Sequence, residues 1–258
     1  MSFDVQFHHV SVDIAKTRIL NDISFSMKPG LLTMVLGANG SGKSTLLKTL
    51  AKNIPVSSGE VMINQSPLSK IQLSDFAKYR AVLTQQTTMS FQMKVEEIVL
   101  MGRYPHFNQV PNSIDLKLVE EALKLFELDE FRNRKYDTLS GGEQQRVQFA
   151  RVYVQIAHIT IGGILLLDEP LTFLDVKHQV SFLHLLRKIV LGKQLTCLMV
   201  IHDINLAMNY GDYFLFLKDG ELLAKGLKSE VQNADLINMV FELNATMIQH
   251  KDLNFFSF

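Results

Sequence analysis

Gly37, Gly42, Lys43 and Ser44 stand in the spacing G-x-x-x-x-G-K-[ST], residue types and an order that could do chemistry. The full run is Gly37, Ala38, Asn39, Gly40, Ser41, Gly42, Lys43, Ser44 and Thr45. An apolar stretch of strand length, Leu31 to Leu36, precedes it, and a helical pattern from Ser44 to Ile54 follows. Glycines let backbone N–H groups turn inward on phosphate oxygens, and the helix N-terminus adds its positive end. Lys43 would reach the β- and γ-phosphates, and the Ser44 hydroxyl would ligate Mg²⁺. The plainer alternative is an ordinary glycine-rich strand–helix turn. Pattern, strand, helix and the Ser44-Thr45 pair agree against it.

A site of this kind needs a metal-holding carboxylate at the end of another buried strand. Ile164 to Leu167 is such a run and ends in Asp168, with Glu169 beside it and Pro170 stopping the strand. Ligands of α/β sheets gather at the carboxyl ends of strands. Alone, Asp168 reads equally as a helix or turn cap. Two adjacent carboxylates can divide the work, one holding metal and the other polarising a water for attack on the γ-phosphate. A third strand end, Val200-Ile201, carries His202. A lone histidine there more often serves structure, yet a γ-phosphate needs a donor at that place. Gln85, after Ala81 to Thr84, is a fourth candidate, and its alternative is a solvated loop residue. A second glycine-rich turn, Leu139-Ser140-Gly141-Gly142-Glu143, reads as a helix start with a capping box. Two glycines in its first turn are unfavourable to the helix.

The elements that must position these residues are legible in outline. Phe7–Val12 and Ile19–Met27 read as strands, the second ending at the turn Lys28-Pro29-Gly30. Ser58 to Ile63 reads as a turn into a strand, and Arg80 to Leu83 as a short strand. From Val95 to Phe131 the pattern is helical, with Leu116, Val119, Leu123 and Phe126 on one face and a break bracketed by Pro105 and Pro111. Near-continuous apolar runs at Ile164–Leu167 and Cys197–Ile201 fit strands buried on both faces of a parallel sheet, in α/β order with a helical insertion. The 258 residues are 47% apolar and 20% charged, with 26 basic and 26 acidic side chains. That balance gives no strong field for nucleic acid or anionic lipid. One cysteine, Cys197, excludes an intramolecular disulfide framework and suits a reducing compartment. Neither a signal peptide nor a run of about 20 apolar residues is present, so a cytoplasmic location is expected.

Together these motifs resemble the ATP-binding cassette (ABC) ATPases, in order and across nearly the whole chain. The resemblance implies one ABC ATPase domain over residues 1–258. It would have a RecA-like P-loop core, an N-terminal antiparallel β-subdomain and an inserted α-helical subdomain at about 88–150 carrying the signature. It implies ATP and Mg²⁺ as cofactors, with Ser44, Gln85 and Asp168 around the metal. It makes Glu169 the general base, His202 the γ-phosphate contact, Gln85 the relay to a membrane partner and Asp175 part of the D-loop. Two copies would pair head to tail, so that residues 139–143 of one face the ATP of the other; with one cassette per chain, that is a symmetric dimer. Three departures stand out. Ile14 occupies the place of an adenine-stacking aromatic, for which Phe3, Phe7, His8 or His9 could substitute. Glu143 replaces a commoner glutamine. Leu171 and Phe173 alter the D-loop.

The stretch from Leu139 to Pro170, a few residues longer than usual before its strand, is similar to the ATP-binding subunits of bacterial hemin importers. Val99 to Phe107 resembles the wider group of importers for ferric siderophores, heme and cobalamin. The resemblance implies integral membrane permease subunits as partners and, indirectly, a periplasmic or lipoprotein substrate-binding protein. It places the chain peripherally on the cytoplasmic face of the bacterial inner membrane, with no nucleic-acid partner. The rival class is a non-transport ABC ATPase of translation or DNA repair, usually with two cassettes or a long coiled-coil insertion. Val95, Ile98 and Phe107 could seat the permease, although core packing explains the first two equally well. His106 and the His8-His9 pair invite a heme-ligand reading, which surface solvation answers better. The apolar tail Asn254 to Phe258 would pack on the body or on a partner.

Overall fold

The computed structural model describes residues 3–84, 92–250 and 253–258. Gln85 lies outside the described residues. The chain opens with a hairpin of β1 (Val5–Ile14) and β2 (Thr17–Met27), joined by Ala15 and Lys16, both with positive φ. Two successive left-handed residues form the tight turn that matches strand twist. β3 (Leu32–Leu36) runs into the glycine turn and α1 (Lys43–Leu50). This helix is shorter than the sequence pattern. Ala51 ends it, Lys52 turns left-handed at φ 61°, and the Lys52 ammonium donates to the carbonyls of Ser69 and Ile71.

β4 (Ser58–Ile63) and β5 (Ser66–Pro67) complete a four-stranded antiparallel sheet in the order β2-β1-β4-β5. After α2 (Leu73–Phe76) and β6 (Arg80–Leu83) comes a helical stretch of α3 (Val95–Met101), α4 (Ser113–Leu125) and α5 (Gly141–Ile156). The chain then returns as β7 (Ile164–Asp168), α6 (Val176–Lys193), β8 (Thr196–Val200), α7 (Ile204–Tyr210), β9 (Tyr213–Lys218) and β10 (Glu221–Leu227). α8 (Lys228–Val231), α9 (Ala234–Phe241) and a hairpin of β11 (Thr246–His250) and β12 (Leu253–Ser257) finish it.

The main sheet has the order β10-β9-β3-β8-β7-β6, parallel throughout except for β10 at one edge. Alternate residues of its strands feed two cores. Val35, Ile164, Leu166, Leu198 and Val200 meet α1 and the antiparallel sheet. Met34, Leu36, Leu165, Leu167, Cys197 and Met199 meet the helices on the other side. Burial on both faces is why these strands read as continuous apolar runs rather than alternating ones. The fold is therefore the expected α/β P-loop core with an antiparallel β-sheet and a set of helices between β6 and β7. Among the described residues no helix is long and apolar enough to cross a membrane.

Val95 and Ile98 are fully buried beneath α3, so they cannot seat a partner; the helix spends its apolar face on its own core. Phe7 is likewise unavailable for stacking on a ligand, since it is buried and stacks on Phe25 at 4.5 Å. Phe3 sits beside Tyr79 and Thr196, at the N-terminal ends of β6 and β8. That is the end of the sheet opposite the phosphate-loop turn. The tail packs on the body: Phe256 is 3% exposed and belongs to the main core.

Candidate nucleotide site

The carboxyl ends of three adjacent strands, β3, β8 and β7, carry the candidate residues. Gly37 follows β3, Asp168 ends β7, and His202 lies two residues beyond β8. A Cβ on Gly37 would lie 2.2 Å from the Leu217 carbonyl oxygen, so only glycine fits where the loop leaves the sheet. Gly42 caps α1 at φ 100°, a conformation L side chains rarely adopt. Between them Lys43 folds back over the loop. Its ammonium donates to the carbonyls of Gly37 and Ala38, each at 2.8 Å. Burial pushes the Lys43 ammonium below its ordinary value, while the charges of Glu169 and Asp168 pull it back. A desolvated ammonium whose partners are neutral carbonyls would exchange them favourably for phosphate oxygens.

The Ser44 hydroxyl donates to Asp168 Oδ1 at 3.2 Å, although 124 residues separate the two in sequence. Asp168 is buried, and burial pushes its carboxyl above the usual range; the Ser44 hydrogen bond opposes this, and the Glu169 charge adds to it. A buried carboxylate raised in this way gains from a cation beside it. Hydroxyl and carboxylate oxygens are hard donors, and Mg²⁺ characteristically takes one or two such ligands, keeping the rest for phosphate and water. The pair fits that ion. Among the described residues no cluster of three or more His, Cys, Asp or Glu side chains could hold a metal without phosphate oxygens.

Glu169 adopts φ 50°, left-handed for a non-glycine residue, and its N–H donates to the Val200 carbonyl at 3.1 Å. The strained turn aims its carboxylate sideways, toward β8. There Oε1 lies 2.6 Å from His202 Nε2. A cleft of about 190 Å³ lies beside the pair, walled by Leu171, Gln179, Ile201 and Leu206. Asp175 accepts from the His178 N–H and caps α6, and that hydrogen bond, with the one from the His178 ring, holds its carboxyl below the usual range.

The second glycine turn lies apart: no hydrogen bond among the described residues joins 139–143 to 37–45. Leu139 is buried. Ser140 Oγ accepts from the Glu143 N–H at 3.4 Å, and Glu143 Oε2 accepts from the Ser140 N–H at 2.7 Å, completing the capping box. These bonds from Ser140 hold the Glu143 carboxyl below its usual range. The turn contacts the segment after Glu169. Gln145 donates to the Pro170 carbonyl at 2.7 Å, and the Phe173 side chain lies against Gly141. Sequence reasoning missed this neighbour contact, for which Phe173 in place of a small residue was the available signal.

It also missed the buried pair Arg103 and Asp115, joined at 2.9 Å. Arg103 donates further to the Val154 carbonyl, and His106 bonds the Gln155 carbonyl through Nε2. Both cap the C-terminal end of α5, which leaves His106 a structural role. His9 pairs with Asp22, and His8 with Gln6.

The chain is similar to known proteins over most of its length. The hemin import ATP-binding protein HmuV of Bordetella avium is 37% identical over 95% of both chains. A metal-chelate type ABC transporter solved in an inward-facing conformation superposes with a TM-score of 0.82 at 24% identity, over 99% of this chain and 96% of that one. A bacterial ABC transporter cassette solved as a dimer gives a TM-score of 0.75 at 28% identity, over 87% of this chain and 98% of that one. Residues 20–172, more than half the chain, match the family described as "ABC transporter", and the chain belongs to that family.

Proposed function

We propose that this ATPase is the ATP-binding subunit of a hemin importer and that it works as a symmetric head-to-tail dimer under a membrane permease. The convergence of Lys43, Ser44–Asp168 and Glu169–His202 at three neighbouring strand ends carries the reading. In it, residues 37–45 wrap the phosphates, and Lys43 leaves the Gly37 and Ala38 carbonyls for the β- and γ-phosphates. Ser44 and Asp168 would hold Mg²⁺, to which the family resemblance also assigns Gln85; when bound, the ion would neutralise charge developing on the phosphate oxygens. Glu169 takes a proton from a water whose oxygen attacks the γ-phosphorus, and the β–γ bridging oxygen leaves with ADP. His202 releases Glu169 and donates to the γ-phosphate. Asp175 keeps the loop between Glu169 and α6 in place.

Residues 139–143 complete the partner's site. Neither Gly141 nor Gly142 has a positive φ, and an added Cβ would find its nearest neighbour at 3.4 Å. The chain's own packing thus does not require them, whereas a phosphate approaching this helix end would. In this reading one domain spans 1–258, with the helical subdomain inserted at about 88–150, of which residues 92–150 are described. Phe107, with Tyr104 edge-on at 5.6 Å, offers an apolar seat for the permease. A periplasmic or lipoprotein binding protein acts through that permease, and the subunit sits on the cytoplasmic face of the inner membrane without nucleic acid.

The cargo rests on the 37% identity to the hemin import protein. Reconstitution of the chain with its permease in proteoliposomes tests it. ATP hydrolysis should rise with a heme-loaded binding protein. A response to ferric siderophore or cobalamin alone would replace the cargo, and failure to assemble with any permease would overturn the transport reading.

A further inference from the structure

His202 is followed at once by a short helix that the far end of the chain grips. Asp203 caps α7 by accepting from the Leu206 N–H at 2.8 Å. Two residues beyond the cap, Asn205 reaches the C-terminal hairpin. The Phe256 N–H donates to Asn205 Oδ1 at 2.7 Å, and Asn205 Nδ2 donates to the Phe256 carbonyl at 3.0 Å. One carboxamide thus pairs with both backbone groups of a single strand residue, as a neighbouring strand would. Phe256 is itself anchored, 3% exposed in the main core and opposite Met247 in the hairpin.

The other contacts of α7 are of a different kind. Ile204, Ala207 and Met208 bury its inner face against the sheet. Apolar burial is non-directional. It fixes which face points inward but leaves a seven-residue helix free to slide or tilt by fractions of an ångström. Two hydrogen bonds to a planar amide are directional and remove that freedom at the first turn. His202 immediately precedes the cap of that turn, 47% exposed, with Nε2 2.6 Å from Glu169 Oε1.

We propose that Asn205 is a positioning residue for His202: through α7, its clamp on Phe256 sets where the imidazole meets the γ-phosphate. The proposal rests on the reading that His202 contacts the γ-phosphate. It assigns the apolar C-terminus a part in nucleotide discrimination, because ADP lacks the group that His202 would touch.

The test measures ATP and ADP affinities of the full chain by equilibrium binding in a Glu169→Gln background, which prevents turnover. Asn205→Ala and the near-isosteric Asn205→Leu should each lower the ATP-to-ADP affinity ratio by about three- to tenfold, the worth of one or two neutral hydrogen bonds, with ADP affinity unchanged. Adding His202→Ala should cause no further loss, since both substitutions act on one contact. Equal falls for ATP and ADP would show general damage and overturn the proposal. So would an unchanged ratio in both Asn205 variants while His202→Ala lowers it, which would leave the histidine reading standing. An unchanged ratio in His202→Ala itself would remove that reading and the proposal with it.

Discussion

Replacing Arg103 by methionine should unfold the helical part of the molecule far more readily than its distance from the nucleotide site would suggest. Arg103 and Asp115 are 4% and 1% exposed and joined at 2.9 Å. Nη1 also donates to the Val154 carbonyl at 2.8 Å and approaches His158 Nδ1 at 3.2 Å. Methionine replaces most of the stem volume, so the loss is electrostatic. It strands a buried carboxylate that keeps only the Asn112 N–H as a backbone donor. Removing one partner of a buried pair costs about 3–5 kcal/mol. At roughly 2–4 °C per kcal/mol for a chain of this size, the melting temperature should fall by about 6–20 °C. Asp115→Leu in the same chain removes the stranded charge and leaves chiefly the loss of an N-terminal capping interaction, about 0.5–2 kcal/mol. The double variant should therefore be more stable than Arg103→Met alone. Urea or thermal melts of the four chains give the coupling directly. A single-variant loss below about 1 kcal/mol, or strictly additive losses, would refute the argument.

Glu169→Gln keeps the carboxylate's shape without its basicity and should lower ATP turnover by about 10²–10⁴-fold while ATP still binds; undiminished phosphate release would remove Glu169 as the base. Lys43→Ala deletes a charge-assisted contact and should weaken nucleotide binding by about 10- to 150-fold in a titration, and normal affinity would remove the phosphate-loop reading. Ser140→Ala breaks the capping box, costing about 0.5–2 kcal/mol in a melt. It should spare ATP binding to the isolated chain yet slow hydrolysis in the assembled complex; full assembled activity would count against a role in the partner's site. Burial, then the charges of His106, Arg103 and Lys193, lower the His158 pKa to about 4. The unfolded chain therefore binds this proton near pH 6.5 and the folded chain does not. The stabilisation is complete above pH 6.5 and lost as pH falls toward 4. His158→Gln should flatten the pH dependence of the urea midpoint in that window, and an unchanged slope would contradict the shift.

The parts of the site that were legible in the sequence are those whose physics is local. A glycine turn between a strand and a helix announces its own geometry, and buried parallel strands announce themselves as unbroken apolar runs ending in Asp168 and His202. What escaped is non-local. α1 stops at Leu50, where Lys52 turns left-handed and the Asn53 N–H donates to the Lys48 carbonyl, and the Lys52 ammonium is then held by carbonyls of Ser69 and Ile71, farther along the chain. Nothing local in Arg103 indicates Asp115, which α4 brings against it. Val95 and Ile98 read as available because an apolar helix face looks the same whether it meets the core or a partner. Nothing local in Asn205 indicates a strand 51 residues away.

The two glycine turns differ in the reason each needs glycine. Gly37 has no room for a side chain, because its own Leu217 carbonyl stands in the way, and Gly42 needs a backbone conformation that other residues resist. Both demands arise within one chain. Gly141 and Gly142 face neither demand: the backbone is helical and a methyl group would fit at both. Alanine there would even favour the helix by up to about 1 kcal/mol apiece. Glu143 turns its carboxylate back onto the Ser140 N–H and hydroxyl, where it caps the helix, so an arriving anion would have to displace it from them. Glycines that the chain's own packing does not require would be explained by a negatively charged group arriving from outside. In the proposed reading the first glycine turn would hold phosphate, and the second would supply a helix end to the nucleotide of a second copy.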